Sequence, residues 1–345
     1  MEIIAQLLQG GWNALLEYLS GHVLTCLIPA FFIAGAVSVF VSQGDILKYF
    51  GPKAKKLLSY SVASVSGAIL AVCSCTVLPL FGGIYKKGAG IGPAIAFLYS
   101  GPAINVLAIV YTARILGFDL GLARAIGAVI FAAGIGLIMA LIYHKEESLK
   151  DAAAFDALVP DSKAKKWWQQ GIFFVVLVGI LIFAASKNWI ATGVLLAALG
   201  FILWRWFTND EIGTWMKGTL HFVRLIVPWL LVGVFAAGII VTFIPQAAVA
   251  NWVGGNSLLA NFIASFLGAL MYFATLTEVP IISAFVNLGM GKGPTLALLL
   301  AGPALSLPNM LVIRSIMGTK KTFTYIALVV VFSTVAGYIF GLIAQ

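Results

Sequence analysis

Residues 73–105 read CSCTVLPLFGGIYKKGAGIGPAIAFLYSGPAIN, and residues 274–306 read ATLTEVPIISAFVNLGMGKGPTLALLLAGPALS. At a constant offset of 201, Pro79 falls on Pro280, Gly88 on Gly289, Gly90 on Gly291, Gly92-Pro93 on Gly293-Pro294, and Gly101-Pro102-Ala103 on Gly302-Pro303-Ala304. The register extends back through Ala63-Ser64 onto Ala264-Ser265 and Gly67-Ala68 onto Gly268-Ala269. Proline and glycine interrupt helices, and here they interrupt strongly apolar sequence twice in one pattern. In a membrane protein such a pattern points to a binding site between two related halves.

The surrounding composition sets the solvent. The chain has 345 residues, of which 61% are hydrophobic and 10% charged, against about 25% charged in a soluble domain. Mean hydropathy is +1.05. This predicts an all-α polytopic membrane protein with an internal repeat of Gly-Pro-broken helices, placed as a multi-pass protein in the cell inner (plasma) membrane. The net charge of +9 comes from 21 basic residues scattered between apolar runs. They form no Arg-rich stripe, so anionic lipid explains them better than nucleic acid does. The expected partners are therefore the lipid bilayer and a small-molecule or ion substrate, with a homo-oligomer left open. The first 20 residues lack the basic start of a signal peptide and read as an amphipathic lead-in carrying Glu2 and Glu17.

Stretches apolar enough to cross about 30 Å of hydrocarbon fall at 22–41, 58–84, 92–113, 122–143, 169–186, 189–207, 222–244, 257–285, 293–315 and 322–343. The central expectation is ten spans, within a range of eight to eleven. The stretches 58–84 and 257–285 contain motif prolines and read as helices that break and restart. Residues 144–168 are the hydrophilic loop, which gives a first transmembrane repeat at 1–143, a central helical hairpin and linker at 169–214, and a second repeat at 215–345. In a ten-span count the basic stretches 42–57 and 144–166 fall on opposite faces, and the Lys and Arg totals nearly balance. Loop 42–57 is basic, however, while its counterpart 244–256 has no Lys or Arg. That contrast favours an inverted repeat, with one apparent span re-entrant or a broken one crossing twice.

The candidate site follows the breaks. Pro93, Pro102, Pro294 and Pro303 lack an amide donor and would free the carbonyl four residues back, and the neighbouring Gly92, Gly101, Gly293 and Gly302 allow close backbone approach. Freed polar groups are tolerated at membrane depth only against protein or a wet cavity. Thr76 and Thr277, just before Pro79 and Pro280, either cap freed backbone or offer an oxygen to a substrate. Glu278 lies in the otherwise uncharged run FATLTEVPIISAF, where a carboxylate is costly unless paired or wet. It reads as a proton- or cation-exchanging group, or as a structural partner to another charge, or as a boundary residue. Cys73, Ser74 and Cys75 occupy the same break in the first half, and two thiols offer soft ligands. Cys26 on the first span is a candidate third thiol. Asn105 and Asn309 follow the second Gly-Pro of each half, as helix-to-helix bonds or cavity-lining amides. His22, His144 and His221 are isolated, so no metal site is assigned, and no cofactor is expected.

These blocks, with the continuation GKGPTLALLLAGPALSLPNM, resemble a family of predicted bacterial and archaeal permeases that was formerly a domain of unknown function. That family includes efflux permeases for trivalent organoarsenicals such as methylarsenite. The resemblance implies a permease rather than an enzyme, and it implies metalloid binding by cysteine at the motif positions Cys73 and Cys75. No GxxxxGK[ST] phosphate loop is present in the chain, so a gradient-driven secondary carrier is the simpler expectation. The alternatives are a channel or carrier for another small ion or organic solute that ignores the thiols, and a membrane thiol or redox enzyme built on Cys73-Ser74-Cys75.

Overall fold

The computed structural model describes residues 2–20, 27–40, 58–64, 74–86, 88–146, 167–243, 252–271 and 278–344. Their regular structure is helical, apart from one isolated bridge between Gly254 and Met290. In chain order the helices are α1 (Glu2–Tyr18), α2 (Ile28–Phe40), α3 (Ser74–Lys86), α4 (Ile91–Ala103), α5 (Val106–Ile115), α6 (Phe118–Ile142) and α7 (Trp167–Ala185). They continue as α8 (Trp189–Trp206), α9 (Asn209–Phe243), α10 (Leu258–Leu270), α11 (Glu278–Asn287), α12 (Lys292–Ala301), α13 (Leu307–Met317) and α14 (Thr319–Ile343). Residues 58–64 are also helical.

The 201-residue register read from the motif holds for whole elements. Both ends of α6 map onto both ends of α14. The glycine before each of these helices takes positive φ, 112° at Gly117 and 85° at Gly318, and so do the turn glycines Gly88 (96°) and Gly289 (103°). A side chain rarely adopts that backbone conformation, so the duplicated glycines fix the same turns in both halves.

The two copies are inverted. The Tyr143 hydroxyl lies 2.8 Å from Thr324 Oγ1, and Lys321 Nζ is 3.3 Å from Glu146 Oε1. The end of α6 therefore meets the start of α14, and these equivalent helices run antiparallel. Midway, Phe131 packs edge to face against its own counterpart Phe332, with ring centroids 5.2 Å apart. A residue touches its counterpart next to a pseudo-two-fold axis, and antiparallel copies place that axis in the membrane plane.

Contacts also assign helix ends to faces. On the first face Lys321 Nζ donates to the Tyr85 hydroxyl at the end of α3, and Lys86 lies against His221 and over the Phe222 ring of α9. Phe40, at the end of α2, packs on Phe173, Phe207 and Trp215, and its carbonyl accepts from Gln170 Nε2. On the second face Lys292 Nζ donates to the Ala344 carbonyl, and Asn256 Nδ2 donates to that of Tyr338.

This assignment revises how two of the apolar stretches are used. Tyr60 lies against Gly92 and Gly136, at the start of α4 and the end of α6, so the stretch 58–86 begins and ends on the first face. Correspondingly, α10 starts beside Asn256, and α11 ends just before Met290, which bridges Gly254. The stretch 258–287 thus begins and ends on the second face. After Leu270 the chain turns extended at Met271, with φ −75° and ψ 148°. Each stretch enters and returns. By length and apolarity five described helices, α6, α7, α8, α9 and α14, can each cross a membrane, and the pair α4–α5, bent by 45°, makes a sixth. The shorter run α12–α13 also joins the second face to the first, and α2 ends on the first face. A re-entrant stretch is as apolar as a span, because both are buried in hydrocarbon and protein.

Two of the four prolines in the Gly-Pro pairs do less than expected. Pro93 and Pro294 lie in the first turns of α4 and α12, where amides have no intrahelical acceptor, so they free no carbonyl by lacking a donor. Pro102 and Pro303 stand at the breaks, where α4 gives way to α5 and α12 to α13.

Candidate functional site

The site forms where the inner ends of the re-entrant stretches meet the breaks in the crossing pairs. α3 and α11 both start there, and they pack crosswise on the other half, α3 against α13 and α11 against α5. At the breaks some carbonyls lose their helical partner, and two tyrosines bond carbonyls there. Tyr99 donates its hydroxyl to the Leu300 carbonyl at 3.1 Å, and Tyr325 donates to that of Ala304 at 3.3 Å. Tyr99 and Leu300 are counterparts, so the pseudo-two-fold axis runs beside this centre.

The chemistry of the centre is an ion pair between the halves. Arg124 Nη2, from α6, donates to Glu278 Oε2 at 2.9 Å, with the two side chains 0% and 2% exposed. Arg124 Nη1 donates to Thr112 Oγ1 at 3.0 Å, and the Thr112 hydroxyl donates to the Ala108 carbonyl at 2.7 Å. The guanidinium is therefore held from two sides. Glu278 is the first residue of α11, where the helix dipole favours a negative charge. Among the described residues Arg124 Nε and Glu278 Oε1 have no partner, nor do the buried Ser306 Oγ and Asn309 Oδ1. Such groups are expensive when dry, so the centre holds unspent hydrogen-bonding capacity.

At the 201-residue offset, Glu278 corresponds to Val77, Arg124 to Tyr325 and Thr112 to Ile313. The charged arrangement therefore exists once, on one side of a two-fold scaffold.

Of the residues singled out from sequence, Glu278 stands at the centre, paired with a second charge. Thr76 and Pro79 are buried within α3, while Pro280 in α11 is exposed. Gly101 and Pro102 close α4, and Gly302 and Pro303 follow α12. Asn105 is buried at the break, where its Oδ1 accepts from the Ala108 amide at 3.4 Å, and Asn309 is buried in the first turn of α13. Gly92 and Gly293 do not join them. They sit toward the two faces, where backbones approach closely: a Cβ on Gly136 would lie 2.6 Å from the Gly92 carbonyl oxygen, and one on Gly337 2.6 Å from that of Gly293. Cys26, Cys73 and Thr277 lie outside the described residues, as do the side chains of Ser74 and Cys75, whose backbone opens α3.

Sequence reading missed Arg124. The signal was available, because GLARAIGAVIFAAGIGL carries a lone charge inside an apolar span, the same anomaly that drew attention to Glu278. Tyr99, Thr112 and Tyr325 gave no comparable signal.

Inverted repeats with broken helices and a polar centre define a multi-pass membrane protein of the transporter kind. A family model described as a predicted permease, ArsP_1, matches residues 9–342. The chain belongs to this predicted permease family. It is 45% identical to the UPF0718 protein MJ0584 of Methanocaldococcus jannaschii, over 100% of this chain and 99% of the relative. It is 24% identical to the UPF0718 protein YraQ of Escherichia coli K12, over 97% and 83% of the two chains. A Streptococcus mutans protein described as a two-component membrane permease complex subunit is 21% identical, over 91% of this chain and 94% of that one. No solved structure matches the chain significantly.

Proposed function

We propose that this permease is a secondary carrier that exports a small thiophilic solute, such as a trivalent organoarsenical, across the plasma membrane. The solute binds between the two halves, Cys73 and Cys75 supply soft ligands, and Glu278 exchanges a proton or yields its partner during the cycle. The observation that carries the reading is the buried Arg124–Glu278 pair, which joins the halves at the centre where α3 and α11 begin. A charge pair at membrane depth is costly to build, and moving halves give it a use. The thiols stand on the stretch that enters from the first face, and the carboxylate stands on the one from the second face. On this reading a solute passing between the faces uses both.

The unpartnered Arg124 Nε, Ser306 Oγ and Asn309 Oδ1 favour a second reading, in which a polar ion or organic solute is carried without the thiols. Uptake of a trivalent methylarsenical into everted membrane vesicles separates the two. The thiol route predicts loss of uptake in Cys73→Ser and in Cys75→Ser at unchanged protein level. Full uptake in the double variant would eliminate the thiol route and leave the polar one.

A further inference from the structure

We infer that the first face is the cytoplasmic one, so that the stretch bearing Cys73 and Cys75 opens to the cell interior and the stretch bearing Glu278 opens to the outside. The basic side chains divide unevenly between the two faces. Lys86 ends α3, Lys145 follows α6, Arg205 ends α8, Lys217 lies in the first turns of α9, Arg314 ends α13, and Lys320 and Lys321 start α14. All of these stand at helix ends assigned to the first face by contact. At the second face the basic residues are Arg114 at the end of α5, Lys187 in the α7–α8 turn and Lys292 at the start of α12.

The connections between helices sharpen the difference. The chain leaves α2 at Phe40 on the first face and resumes as helix at 58 on the same face; the sequence between carries Lys48, Lys53, Lys55 and Lys56. It leaves α6 on the first face and resumes at α7 there, with Lys150, Lys163, Lys165 and Lys166 between. Residues 244–251, between α9 and α10 on the second face, contain no Lys or Arg. Short loops rich in Lys and Arg stay on the cytoplasmic side, against the anionic inner leaflet. The near balance expected from ten alternating spans arose from counting two re-entrant stretches as crossings, which flipped every loop between them.

This sidedness stands apart from the identity of the cargo. It makes 58–86 the inner re-entrant stretch and 258–287 the outer one, whatever is carried. The α3 end of the inner stretch is held by Lys321, which is 3% exposed, through the Tyr85 hydroxyl. The positions of that lysine and tyrosine correspond to Leu120 and Val286 at the outer face, where the same lock cannot form.

The test is labelling of single engineered cysteines in intact cells with a membrane-impermeant maleimide, each site resolved by peptide mass so that the native thiols can remain. Lys187→Cys and Lys292→Cys are expected to label in intact cells, and Lys145→Cys and Lys320→Cys only after permeabilisation. The reverse pattern would overturn the assignment, as would labelling of all four from one side. Should a variant be poorly expressed, a fluorescent-protein insertion within 147–166 reads the same question: fluorescence supports a cytoplasmic loop, and export of the insert without fluorescence overturns it. Absence of arsenical uptake by the unmodified protein, with the expected labelling intact, would count against the proposed cargo alone.

Discussion

Arg124 of the first half bonds Glu278 of the second at 2.9 Å, and their counterparts Tyr325 and Val77 cannot form that bond. Removing one member leaves a buried charge unpaired. Arg124→Met or Glu278→Met alone should therefore lower stability by about 3–5 kcal/mol, read as thermal unfolding of the purified protein in detergent. The double variant Arg124→Met/Glu278→Met, which replaces the pair by apolar volume, should recover most of that loss while transport stays abolished. A double variant as unstable as the single ones would mean that the pair is not what the singles disrupt.

Close backbone approach at the two faces gives a graded prediction. Gly136→Ala and Gly337→Ala each place a methyl 2.6 Å from a carbonyl oxygen across the helix pair, an overpacking that typically costs about 1–3 kcal/mol. Gly213→Ala in α9 meets nothing within 4 Å, and the gain in helix propensity is about 0.5–1 kcal/mol. Melting temperatures should thus fall for the first two and hold or rise for the third. Equal behaviour of all three would mean that the close approach is absent.

The antiparallel register of α6 and α14 is open to a covalent check. Tyr143→Cys combined with Thr324→Cys should cross-link with a short bifunctional maleimide, since the native side chains lie 2.8 Å apart. Asp119→Cys combined with Thr324→Cys should not, because α6 begins at the opposite face. Cross-linking of the second pair in place of the first would require parallel helices.

Much of this architecture was legible in the duplicated block. Because a helix break needs residues that cannot hide, Pro102 and Pro303 marked the breaks, and Gly88 and Gly289 marked the turns. Glu278 was legible for a related reason, since an isolated carboxylate in apolar sequence demands a partner. That partner was less visible because Arg124 lies outside the block and 154 residues away in the chain, in a span whose alanines and glycines drew no notice. The crossing count and the sidedness were harder still. Hydropathy reports what surrounds a segment and carries no record of whether the segment returns, so 58–84 and 257–285 looked like spans. Their true course shows only in contacts such as Tyr60 against Gly136 and Gly254 beside Met290.

The Arg124–Glu278 pair also bears on the energetics of the proposed transport cycle. In an inverted repeat whose halves were chemically identical, exchanging the conformations of the halves would turn the inward-open state into the outward-open one at no cost. The two states would then be equally populated in the absence of a gradient. With Arg124 and Glu278 on one side and Tyr325 and Val77 on the other, that degeneracy is lifted. On the proposed carrier reading, the empty protein then rests unevenly between its two openings, and the bias comes from side chains such as these set on a duplicated backbone.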